Sequence, residues 1–161
     1  MERSKLELEA RDTQKPKALR RSGRIPATLY GPDSESTSLQ INRDTFVRLP
    51  LAAYSHVIEL GTPSGVVQAL IRQVHRKHVT NEILNVEFYR VANDRKLTVT
   101  VPLKFIGVSP AVAKGGQLVE MFQTADLECL PGDIPDYIEV NIGIIEDIDH
   151  GIHFSDLKAP S

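Results

Sequence analysis

Apolar residues recur at every second position in segment after segment of this chain, and a period of two restricts it to strand-built folds. Leu6, Leu8 and Ala10 alternate with Lys5, Glu7, Glu9 and Arg11. "VVQALIRQV" (66–74) and "EILNVEFYRV" (82–91) read as longer strands. In the second, Leu84, Val86 and Phe88 take one face, and Asn85, Glu87 and Tyr89 the other. Leu97, Val99, Val101, Leu103 and Phe105 alternate, as do Ile138, Val140, Ile142 and Ile144. "GGQLVEMF" (115–122) and "TADLECL" (124–130) read as a strand pair. Pro102 cannot donate to a ladder, so its strand is expected at a sheet edge or with a bulge.

Helical signals are short. Pro16 suits a first helical turn and Gly23 the left-handed residue beyond a last one, so a helix is predicted over Pro16–Ser22. A second is predicted near "NRDTFVRL" (42–49), capped by Asn42 or Asp44 and limited by Pro50. "GPDSES" (31–36) and "GTPSG" (61–65) read as turns. The class is mainly β with short helices (α+β), and the second half carries little helix.

The 161 residues suffice for one ordinary domain or two small ones. No apolar run approaches the ~20 residues that span a bilayer. The charged start "MERSKLELEARD" shows no signal peptide. Cys129 is the only cysteine, which forbids an internal disulfide and fits a reducing cytoplasm. The net charge of -2 hides a split. Residues 1–90 carry fourteen Lys and Arg against ten Asp and Glu, a net +4, and residues 91–161 carry five against eleven, a net -6. The reversal falls at "VANDRK" (91–96), which sets expected domains at 1–91 and 92–161. Only the first half suits a polyanion.

Six cations, Arg11, Lys15, Lys17, Arg20, Arg21 and Arg24, stand between residues 11 and 24, with Asp12 the one acid among them. Lys17, Arg20 and Arg21 share a helix face at i, i+3 and i+4. On charge alone, these could simply be solvated cations complementing a helix C-terminus. A second cluster, "RQVHRKH" (72–78), ends a strand and enters a turn. If turn and helix meet, Arg72, Arg76 and the helix cations would face phosphates. Tyr30, Gln73 and Asn85 would then offer hydrogen bonds to sugar or base edges. A surface of that mixture suits RNA, whose shallow minor groove displays 2′-hydroxyls.

Other chemistry finds little support. The pairs His75/His78 and His150/His153 have no cysteine nearby and no H-E-x-x-H setting, so no metal site is expected. Ala125, Leu127 and Cys129 share a strand face, which points to a buried thiol rather than a nucleophile. "KGGQ" (114–117) lacks the phosphate-loop pattern and reads as a tight turn. Asp133, Asp136, Glu146, Asp147 and Asp149 read as solvated positions. No catalytic residue, cofactor or enzyme activity is expected.

"ALRRSGRIPATLYG" (18–31) resembles the N-terminal signature of the bacterial L-twenty-five family, large-subunit ribosomal proteins that bind 5S rRNA. "RQVHRKHVTNEILNVEFYRV" resembles that family's second signature. "VPLKFIGVSPAVAKGGQLVEM" and "IPDYIEVNI...HFSDLKAP" resemble the C-terminal domain of its two-domain members, called CTC or general stress protein. The resemblance implies an N-terminal β-barrel-like RNA-binding domain followed by a smaller β-rich module. It carries RNA-contacting roles to Arg11, Lys17, Arg20, Arg24, Tyr30, Arg76 and Asn85. The chain departs from the family with His75, where Gln is usual, and with Asn85, where His is frequent. It also reads "TQKPK" where the family commonly has Gly-Lys-Gly. The implied partners are 5S rRNA and neighbouring ribosomal proteins, the latter through the acidic second half. The implied setting is cytoplasmic and ribosome-associated, for a chain that is monomeric before assembly. A stress-linked accessory that binds ribosomes conditionally, or a β module for protein contacts, are the alternatives.

Overall fold

The computed structural model describes residues 4–32 and 34–157. Asp33 of the expected "GPDSES" turn and the last residues of "HFSDLKAP" lie outside them. The chain divides into two compact units. The first runs to Leu97 and includes Leu130–Gly132, and the second holds Thr98–Cys129 and continues from Asp133.

In the first unit, strands β1 (Lys5–Ala10), β2 (Arg24–Gly31), β3 (Ser34–Asn42), β4 (Ile58–Thr62), β5 (Gly65–Arg76) and β6 (Ile83–Arg90) form a closed barrel in the order β1-β3-β2-β6-β5-β4. Closure depends on two parallel pairings, β2 with β6 and β1 with β4, and the remaining pairs are antiparallel. A closed sheet leaves no unpaired strand edge. Its interior is filled by alternating residues, including Leu6, Ile25, Ile41, Leu60, Val86 and Phe88, each almost wholly buried. Ala10 departs from the expected alternation and is exposed at the end of β1.

Two short helices attach to the barrel. Helix α1 (Pro16–Arg21) starts at Pro16, buries Leu19, and ends at Ser22. Gly23 then adopts φ +80°, which costs glycine little and returns the chain into β2. Helix α2 (Arg43–Val47) is capped by Asn42, whose side chain accepts hydrogen bonds from the Asp44 and Thr45 amides. It seals the barrel with Phe46, which is fully buried. The "GTPSG" turn is a two-residue hairpin loop between paired Thr62 and Gly65.

One face assignment changes in β6. The register with β5 shifts between His75 and Arg76, whose partners are Asn85 and Ile83. This bulge sends Ile83 rather than Leu84 into the core, leaving Leu84 half-buried.

The second unit is a three-stranded sheet, β8-β7-β9, of β7 (Leu97–Ile106), β8 (Thr124–Cys129) and β9 (Ile138–Asn141), with helix α3 (Pro110–Ala113). Pro102 lies in the central strand, not at an edge. The Leu103 amide donates to the Gln123 carbonyl at 2.8 Å, so the preceding nitrogen faces the opposite side, toward β9. The ladder to β9 begins only at Leu103–Ile138, so Pro102 deprives it of no hydrogen bond. "GGQLVEMF" forms no strand. Gly116 packs against the Ala111 carbonyl, 2.8 Å from where a Cβ would stand, and residues 117–122 run outside any ladder. The alternation in "YIEVNIGII" stops after Asn141. The Asn141 side chain accepts from the Gly143 amide and starts a single 3-10 turn, Ile142–Ile144, that leaves Ile144 exposed. Cys129 is half-buried, and that burial, with Asp133 nearby, pushes its thiol pKa up.

Candidate nucleic-acid interface

The outer face of β2, β6 and β5 gathers the sequence-derived candidates, because strand neighbours align them in rows. His75 pairs with Asn85, Gln73 with Glu87, Thr28 with Glu87, and Tyr30 with Tyr89. A second register shift, between Ile71 and Gln73, places Arg72 in a bulge. Two consecutive residues, Arg72 and Gln73, are therefore exposed, where regular alternation would bury one of them.

Helix α1 joins this face at its lower end. The Arg20 Nη1 donates to the Leu84 carbonyl at 3.3 Å, across 64 residues of sequence. Leu84 precedes Asn85, so the first basic cluster meets the strand that carries the second signature. Lys15, Lys17 and Arg21 remain exposed on or beside α1, and Arg11 is half-buried just ahead of it. Arg76 donates to the Asn81 carbonyl at 3.4 Å, fastening the β5–β6 turn. Asn81 adopts φ 55° in that turn, a conformation asparagine tolerates.

Arg24 is engaged within the barrel. It forms an ion pair with Glu9, whose carboxylate also accepts from Gln40 Nε2 at 3.0 Å. The other end of the Gln40 amide accepts from the Asp12 backbone at 3.1 Å. This network ties the segment leading to α1 onto β1 and β3. Arg24 and Tyr30 share a face of β2 but are six residues, about 20 Å, apart by strand rise. Tyr30 thus belongs to the upper row, away from Arg24.

Two residues without an expected role complete the upper part. The Tyr89 ring meets Tyr30 edge-on, with centroids 5.7 Å apart. The Glu87 carboxylate lies 2.9 Å from His75 Nε2 and also hydrogen-bonds the Tyr30 hydroxyl. Burial, and then the charge of Glu87, raise the Tyr30 pKa, while Arg72 opposes them. Both residues stood on the outward face of "NVEFY" in the sequence, which marked them as exposed but showed none of their partners.

Chemically, this face can neutralise a polyanion through Lys and Arg, and present Tyr, Gln and Asn groups to edges and hydroxyls. Among the described residues, no three His, Cys, Asp or Glu side chains converge as metal ligands, and no helix is long and apolar enough to cross a membrane.

The described chain is thus a closed barrel with a polar, cation-flanked outer face, followed by a second β unit. Residues 6–88 match the Ribosomal L25p family, and residues 96–161 match the Ribosomal protein TL5, C-terminal domain. The chain belongs to the Ribosomal L25p family. It is similar to the large ribosomal subunit protein bL25 of Pseudomonas putida (strain GB-1), with 38% identity over 144 residues, covering 88% of this chain and 73% of the relative. The bL25 of Pseudomonas fluorescens (strain SBW25) is 39% identical over 145 residues, covering 88% and 72%. That of Pseudomonas aeruginosa (strain UCBPP-PA14) is 36% identical over 146 residues, covering 88% and 71%.

Proposed function

We propose that this protein is a non-catalytic component of the large ribosomal subunit that binds 5S rRNA. Binding uses the outer face of β2, β6 and β5 together with α1, all within residues 1–91. The observation that carries this reading is the Arg20–Leu84 hydrogen bond, which fastens the helix of the first basic cluster to β6, the strand paired with the end of β5 that holds the second. Lys17, Arg21, Arg72 and Arg76 contact phosphates and release condensed counterions. Tyr30, Gln73 and Asn85 meet sugar and base edges where the RNA departs from regular helix. Arg24, through Glu9 and Gln40, helps hold the lead-in to α1, and Arg24 and Arg11 add positive field. The net charge of -6 on residues 91–161 directs the second unit toward neighbouring ribosomal protein.

The test is binding of the full chain to isolated 5S rRNA and to an unrelated RNA hairpin across a salt series. The Lys17→Ala, Arg21→Ala double variant removes two exposed cations and should leave folding intact. The chain is expected to prefer 5S rRNA, and the variant to lower the log–log salt slope by about 1 for each phosphate it no longer neutralises. Equal affinity for both RNAs, or an unchanged slope in the variant, would overturn the reading.

A further inference from the structure

Resting on the RNA-binding reading, we infer that binding takes up a proton at His75, which makes Glu87 compatible with a polyanion. Glu87 is an acid among groups proposed to face RNA, and its carboxylate lies 2.9 Å from His75 Nε2. The two side chains retain 41% and 29% of their exposure, so solvent protons and an incoming phosphate both reach them. With His75 neutral, the pair presents a net negative charge to the RNA. With His75 protonated, the pair is neutral, and the imidazolium is held in place by the carboxylate.

Histidine is the side-chain type that ordinarily changes charge near neutral pH, and the other groups facing the pair are not of that type. Asn85 faces it across the ladder and does not titrate. Glu87 lies diagonally on the same strand as Asn85, and Tyr30 on β2 engages Glu87 from the other side. On its own strand, Arg72, Gln73 and Arg76 flank it, and Arg20 of α1 is bound to the Leu84 carbonyl beside Asn85. The arginines are permanently charged and Tyr30 stays neutral in this range. A phosphate brought near the pair further favours the imidazolium. By linkage, the RNA-bound state then holds the His75 proton more tightly than the free protein, and affinity falls as pH rises.

The experiment measures affinity of the full chain for isolated 5S rRNA at constant ionic strength from pH 6.0 to pH 8.0. The wild type is expected to weaken by up to about tenfold across the range, the value for a tenfold change in proton affinity. His75→Gln removes the titrating group at a half-exposed position and is expected to change by less than about twofold. Proton NMR of the His75 ring should show its titration midpoint moving up when RNA is added. A pH dependence that persists in full in His75→Gln would overturn the inference, by assigning it to other groups such as His78. Wild-type affinity that is constant across the range would overturn the proton coupling and leave RNA binding intact. No binding at any pH would overturn the RNA reading and the coupling with it.

Discussion

The barrel buries Phe46 and Phe88 completely, whereas the second unit leaves Val119 73% and Met121 81% exposed. The barrel closes all its edges with six strands, while the second unit has three strands and keeps two edges. Beside a small core that includes Val99, Val101, Ile138 and Val140, its apolar side chains, including Phe122 and Phe154 with ring centroids 5.2 Å apart, line an open groove. The difference shows where rigidity is concentrated. A closed barrel holds outward-facing side chains at fixed spacing, which recognition of an irregular polyanion requires. The second unit is not closed, and residues 91–161 carry the acidic balance of the chain.

The largest effect separating the two regions should come from their aromatic residues. Phe88→Ala opens a cavity in the barrel and is expected to cost about 3–5 kcal/mol in urea unfolding. Phe122→Ala, at a position 56% exposed, should cost less than about 1 kcal/mol. Similar destabilisation by both would mean that the second unit is as tightly packed as the first.

A smaller contrast concerns glycines. A Cβ on Gly31 would stand 2.8 Å from the Arg90 Cβ and 2.9 Å from its carbonyl, where β2 and β6 end side by side. Gly31→Ala should cost about 1–3 kcal/mol by forcing those strands apart. Gly151→Ala in the second unit meets nothing within 4 Å and should stay within about 0.5 kcal/mol in the same assay. A neutral Gly31→Ala would show that this corner of the barrel yields easily.

The smallest effect is alkaline. The Tyr30 pKa is raised above its ordinary 10.0, chiefly by burial and then by Glu87. The folded state therefore holds this proton more tightly than the unfolded chain. The resulting stability is fully present below the unfolded value and is lost as pH rises through the folded one. Ultraviolet titration of phenolate should show a late-ionising tyrosine that disappears in Tyr30→Phe. An unchanged titration in that variant would remove Tyr30 from the coupled group.

Strands β1, β5 and β6 were legible because one of their faces is buried, which imposes the period of two, whereas β2 and β3 carry runs of three buried residues, 25–27 and 39–41, and show no such alternation. Both first-unit helices were legible from Pro16, Gly23 and Asn42, whose backbone requirements are local. Legibility failed where a non-local pairing decides the outcome. Ile83 displaces Leu84 from the core through a bulge that exists only against β5. Pro102 sits centrally because β9 begins one residue later. "GGQLVEMF" alternates without acquiring a partner strand, and Asn141 diverts "NIGII" into a 3-10 turn. At the site, the residue types and the two clusters were visible, and their meeting was conditional on the fold. The Arg24–Glu9 pair and the Glu87 links to His75 and Tyr30 join separate strands, so no local pattern could announce them.

The central claim is that one face of one unit meets 5S rRNA. Amide hydrogen exchange of the full chain, with and without 5S rRNA, maps that meeting directly. Added protection is predicted in α1, in β2, in the Arg72–Arg76 end of β5 and in β6, with β7 to β9 unchanged. Protection confined to β7 to β9, or none at saturating RNA, would contradict it.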